Sequence, residues 1–139
     1  MILRCAAALA LSAMLMAAAR AQEPKAFACR FAVGLAHTYK MGGFVAEEAA
    51  PMAFGIEAID TAAQTAELKL PHGTGQLRIV QAVNAMHFLE VVTEGFLNIT
   101  TIYDKDEARG AYPAVHSRHL GLLGQPIVTQ YQGFCDSKE

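Results

Sequence analysis

The feature that most constrains this chain is a pair of cysteines, Cys29 and Cys135, near opposite ends of its folding portion. The third cysteine, Cys5, belongs to an opening segment, MILRCAAALALSAMLMAAARAQ, in which one early cation (Arg4) precedes an apolar run from Cys5 to Ala19. The run closes on Ala19-Arg20-Ala21, a small-x-small cleavage signature, so residues 1–21 read as a secretory signal peptide. At about 15 residues the run falls short of the roughly 20 that a membrane-spanning helix needs, which argues against a retained anchor.

An exported chain, periplasmic or extracellular, meets oxidising conditions, and an even pair of cysteines there reads as a disulfide. The bond requires the two Cα atoms to lie within about 7 Å. The first and last elements of the domain must therefore be neighbours. Such a bond closes a loop of about 105 residues, which the chain-entropy model values at about 4–5 kcal/mol. The rival reading is that AFAC ahead of Cys29 is similar to a lipoprotein cleavage box. Against it, Glu23-Pro24-Lys25 interrupts the apolar run, and lipidation would strand Cys135.

Removing 21 of 139 residues leaves 118, from Gln22 to Glu139, enough for one domain and too few for two. Arg4 and Arg20 leave with the signal, so eleven Lys/Arg fall to nine against thirteen Asp/Glu, a net charge of −4. The remaining cations form neither a run nor a stripe. Nucleic acid and anionic membrane surfaces are poor partners for such a chain, and no stable membrane insertion of the mature domain is expected.

Within the domain, apolar and polar residues alternate. FACRFAVGLAHTY places Phe27, Cys29, Phe31, Val33, Leu35, His37 and Tyr39 on one side of an extended chain, the signature of a half-buried strand. KMGGFVAEEAAP has loop composition, with one helical turn expected within residues 45–50. MAFGIEAID and QTAELKL follow as strands, then QLRIVQAV after the turn-forming PHGTG, then AMHFLEVV and FLNITTIY. DKDEARG is a charged loop, and AYPAVHSRH and PIVTQYQGFC are the last two strands, split by LGLLGQ.

About eight short antiparallel strands with regular turns predict an all-β domain, a small closed barrel or a sandwich. Pairing the first strand with the last satisfies the disulfide and closes a barrel without free edges. At class level this architecture resembles the small ligand-holding barrels, lipocalins and avidins, although none of those families' signature motifs is present.

The stretch AVHSRH concentrates polar chemistry. On a strand, His116 and Arg118 share one face while Ser117 and His119 share the other. His-x-x-His chelates jointly on a helix but points in opposite directions on a strand, so the spacing does not support a metal site. Ser117 faces away from His116, and no Gly-x-Ser-x-Gly elbow exists, which weakens a serine hydrolase reading with Asp60, Glu90 or Glu94 as the acid. Gly73-Thr74-Gly75 is too short for a phosphate-binding loop, and no cofactor is implied.

His87 and Glu90 fall on opposite faces of one strand, so either face carries an ionisable group among apolar neighbours. A buried carboxylate needs a partner. Either Glu90 pairs with Arg118 to fasten strands together, or polar groups are reserved for a ligand. Asn98-Ile99-Thr100 matches a glycosylation sequon but falls within a strand, so the match is coincidental.

The expectation is a non-catalytic binding module for a small, partly polar molecule, with His116, Arg118, Glu90 and Tyr131 lining the site. The alternatives are a protein-interaction or inhibitor module of the cell envelope, using residues 41–51 and 104–113, and a small hydrolase or metal enzyme built on His116, His119 and Glu90.

Overall fold

Alternating side chains, punctuated by tight turns, give nine antiparallel strands in sequential order: β1 (Ala26–Lys40), β2 (Gly43–Glu48), β3 (Met52–Asp60), β4 (Thr65–Leu70), β5 (Gly73–Gln81), β6 (Ala85–Val92), β7 (Phe96–Tyr103), β8 (Tyr112–Leu120) and β9 (Ile127–Lys138). The computed structural model describes residues 23–92, 95–121 and 125–138; the segment read as a signal peptide, with Cys5, and Glu94 lie outside them. β1 pairs with β9 along nearly its whole length, so β1 and β3–β9 form a closed barrel of eight strands. Barrel, rather than sandwich, is the architecture. No helix among the described residues is long and apolar enough to cross a membrane.

Cys29 and Cys135 are directly opposed across the β1–β9 seam and form the disulfide. The inward faces meet in a core that includes Phe27, Phe31, Phe54, Ile56, Ile79 and Phe88, each 7% exposed or less. Burying an aromatic or branched aliphatic side chain of this size contributes about 1.5–3 kcal/mol. These side chains fill the middle of the barrel, and a cleft lies at each end.

Of the PHGTG turn only Pro71 and His72 remain outside strands, since Gly73, Thr74 and Gly75 pair with β4 as the start of β5. Two further features depart from the sequence expectation. The first is β2. Residues 45–50 do not form a helical turn; residues 43–48 pair with the second half of β1, from Leu35 to Lys40. Met41 (φ 48°) and Gly42 (φ 87°) make a two-residue turn between Lys40 and Gly43. Two consecutive positive φ values match the twist of the flanking strands, which is why such turns close hairpins. The first half of β1 pairs instead with β3, so β2 is an additional strand extending past the barrel.

The second is a β-bulge. Arg30 pairs with Phe134 but Val33 pairs with Gln132, so Phe31 and Ala32 together oppose Gly133. The extra residue inverts the alternation from there on. Phe27, Cys29 and Phe31 point inward as expected, but Val33 (66% exposed) and Leu35 (45%) point outward, and Gly34 is buried instead. The Tyr131 ring lies against Gly34, where any β-carbon would clash with it.

Gly133 is the residue on which this bulge turns. A β-carbon there would overlap the carbonyl oxygen of Arg30 and crowd the Phe31 backbone, neither of which is free to rotate away. We therefore expect Gly133→Ala to destabilise the protein by about 2–3 kcal/mol, the upper part of the overpacking range. Urea unfolding of the disulfide-intact variant measures this. A loss below about 0.5 kcal/mol, the size of an ordinary surface substitution, would show that the seam yields.

Candidate functional site

The register across β6, β7, β8 and β9 stacks the inward-facing polar residues in two adjoining rows. Phe88 pairs with Thr100, Thr100 with His116, and His116 with Tyr131. One row nearer the end of the barrel, Glu90 pairs with Asn98 and Asn98 with Arg118. His116 and Arg118 are thus the inward pair of the AVHSRH stretch, and Ser117 and His119 the outward pair.

The inner row is buried. His116 is 5% exposed and lies within an aromatic shell of Phe31, Phe54 and Tyr131, with ring centroids 5.1–6.0 Å away. Its Nδ1 shares a 2.8 Å hydrogen bond with Thr100 Oγ1. Desolvation, reinforced by the neighbouring Arg118 cation, lowers the pKa of His116 to about 4. At neutral pH the imidazole is uncharged, which removes the cost of an unpaired buried cation.

The outer row opens onto a cleft of about 170 Å³ at the end of the barrel. Its apolar wall and floor come from Met52, Phe54, Leu68 and Leu70, and its polar groups are Glu90, Asn98, His116 and Arg118. Asn98 Nδ2 donates to Glu90 Oε2 at 2.8 Å. On its other side the Glu90 carboxylate lies where a β-carbon on Gly75 would be, so a glycine at that position gives it room. No ion pair within 4.0 Å joins Glu90 to Arg118. The fastening pair considered for these two residues is replaced by the Glu90–Asn98 hydrogen bond.

Asn98 Oδ1 is buried and has no hydrogen-bond partner. An unsatisfied buried acceptor costs about 1–3 kcal/mol. A donor that reaches it, whether from Arg118 or from an incoming molecule, recovers that energy. Because the side chain of Asn98 faces inward and is engaged with Glu90, the sequon around it is unsuited to carrying a glycan.

Of the residues expected from sequence, Glu90, His116 and Arg118 line one cleft. Tyr131 neighbours His116 in the inner row but packs beneath the cleft, against Gly34 and Phe31. His119 lies on the outer surface, so His116, His119 and Glu90 do not converge. No group of three or more His, Cys, Asp or Glu side chains placed to share a metal occurs among the described residues. Asn98 and Thr100 were not expected as site residues. The sequon they belong to says nothing of a cleft, and only the cross-strand register sets them beside Glu90 and His116.

A larger cleft, about 220 Å³, lies at the opposite end, floored by Phe27, Met86, Ile102 and Tyr112. Its ionisable rim consists of the exposed acids Glu23 and Asp104 with Tyr103. It lacks the opposed donor and acceptor groups of the smaller cleft, which is the better candidate for selective binding. Comparison with protein-family models, with curated proteins and with solved structures finds no match to the chain.

Proposed function

We propose that the protein is an exported binding module that holds a small, partly polar molecule in the cleft formed by Glu90, Asn98, His116 and Arg118. The observation that carries this reading is a carboxylate, Glu90, and a guanidinium, Arg118, that line one apolar-floored cavity without pairing with each other. Opposite charges that only fastened the barrel would pair with each other, since a charge left unanswered beside an apolar floor is costly. A few placed polar groups over an apolar floor are the usual composition of a small-molecule site. The packed barrel beneath holds those groups rigidly on strands.

Native mass spectrometry of the naturally exported protein tests the reading. A small-molecule adduct is expected on the wild type and lost in Leu70→Trp, which fills the cleft from its exposed rim. Retention of the adduct in that variant, or no adduct from the native compartment, counts against the mouth as the binding site.

A second reading, a protein-interaction module, is favoured by the tip of the β1–β2 hairpin. Tyr39, Met41, Phe44 and Val45 are all at least 40% exposed there, and Tyr39 and Phe44 stack edge to face at 5.2 Å. Apolar side chains gathered at a protruding tip favour contact with another protein. A photo-crosslinker at position 44 that yields no protein adduct in the native envelope removes this reading.

A further inference from the structure

We infer that the cleft selects a free amino acid carrying an aliphatic side chain, bound as its zwitterion. This inference rests on the mouth being the binding site and specifies the class of its occupant. Glu90 and Arg118 flank Asn98 in one cross-strand row and line the same cavity, yet they do not pair with each other. The carboxylate is held back by its hydrogen bond from Asn98 and by its position against Gly75. The guanidinium is on the exposed side of the row. The cleft thus presents an acceptor and a donor of opposite charge, separated by one strand.

A simple anion would answer Arg118 while meeting repulsion from Glu90, and a simple amine would face the converse. A molecule with an ammonium and a carboxylate satisfies both, and charge-assisted hydrogen bonds of this kind are the stronger ones. The remainder of the molecule faces Phe54 and Leu68, which offer no polar partner. The cavity, about 170 Å³, is below the roughly 300 Å³ at which drug-sized sites begin. A side chain of about leucine's size fits that floor.

Calorimetric titration of the disulfide-intact mature protein with three probes of one carbon skeleton tests the inference. The probes are leucine, 4-methylpentanoate, which lacks the ammonium, and 3-methylbutylamine, which lacks the carboxylate. Leucine is expected to bind at least about tenfold more tightly than either, a difference of about 1.4 kcal/mol. Glu90→Gln is expected to erase its advantage over 4-methylpentanoate, and Arg118→Gln its advantage over the amine. Equal or tighter binding of either single-charge probe overturns the zwitterion and leaves the mouth standing as the site. Failure of all three to bind also overturns it. The mouth itself falls if the native adduct survives Leu70→Trp or if the natively exported protein carries no adduct, so the two failures are distinguishable.

Discussion

Replacing Cys29 and Cys135 together by alanine is expected to lower the stability of the domain by about 4–5 kcal/mol. The bond links residues 106 apart in sequence. In the chain-entropy model a loop of that length gives close to the upper end of what a disulfide contributes. Both cysteines are also buried, at 1% and 0% exposure, so their removal takes sulfur out of a packed seam. Domains of this size are stable by about 5–15 kcal/mol, so the variant sits near the unfolding threshold. Urea titration of wild type and variant under non-reducing conditions measures the difference. The Arg30–Asp136 ion pair beside the seam does not compensate, because both side chains are largely exposed and such pairs contribute at most about 1 kcal/mol. A loss below 1 kcal/mol would mean that the ends of the unfolded chain already remain close without the bond.

Acidification is expected to weaken the protein through His116. Its folded pKa is lowered to about 4 from the ordinary 6.5. A group depressed in the folded state contributes stability that is fully present above its unfolded pKa and is lost as the pH falls through the folded value. The window therefore runs from about pH 6.5 down to about pH 4, and the loss across it is on the order of 3 kcal/mol. His116→Gln keeps a partner for Thr100 but cannot take up a proton. The stability gap between wild type and this variant is expected to shrink by about 3 kcal/mol between pH 7 and pH 4. Parallel pH profiles would show that His116 is not held neutral. Should the variant fold poorly, NMR titration of the His116 ring in the wild type reads the same pKa directly.

Much of the barrel is legible in the sequence because alternation and turn residues act locally. Ala66 and Leu68 inside, with Glu67 and Lys69 outside, follow from β4 alone. The disulfide adds the one long-range constraint, and it places β1 beside β9. β2 is not legible because all six of its residues are exposed, and Gly, Ala and Glu carry no apolar alternation for an unburied strand. The bulge is hidden for the opposite reason. Val33, Leu35, His37 and Tyr39 continue the pattern of Phe27, Cys29 and Phe31 without a break, and nothing local marks Ala32 as the extra residue.

The candidate site divides along the same line. That His116 and Arg118 share a face follows from their spacing, whereas the direction of that face depends on register with β7 and β9. Pairing of Asn98 with both Glu90 and Arg118 is a property of three strands together. No single segment contains it. Tyr131 was expected at the same site because its strand is polar, yet its parity places the ring over Gly34, one row deeper than the cleft.

The bulge at Phe31 and Ala32 also sets which side chains of β1 look inward beyond it. Beyond it, the inward positions of β1 belong to Gly34, Ala36 and Thr38, opposite Tyr131, Thr129 and Ile127 of β9. Without the extra residue, the bulky set of Val33, Leu35, His37 and Tyr39 would take the inward phase. The inner face of this half-strand is thus a matter of counting: a chain shorter by one alanine keeps nearly every residue and turns that face around.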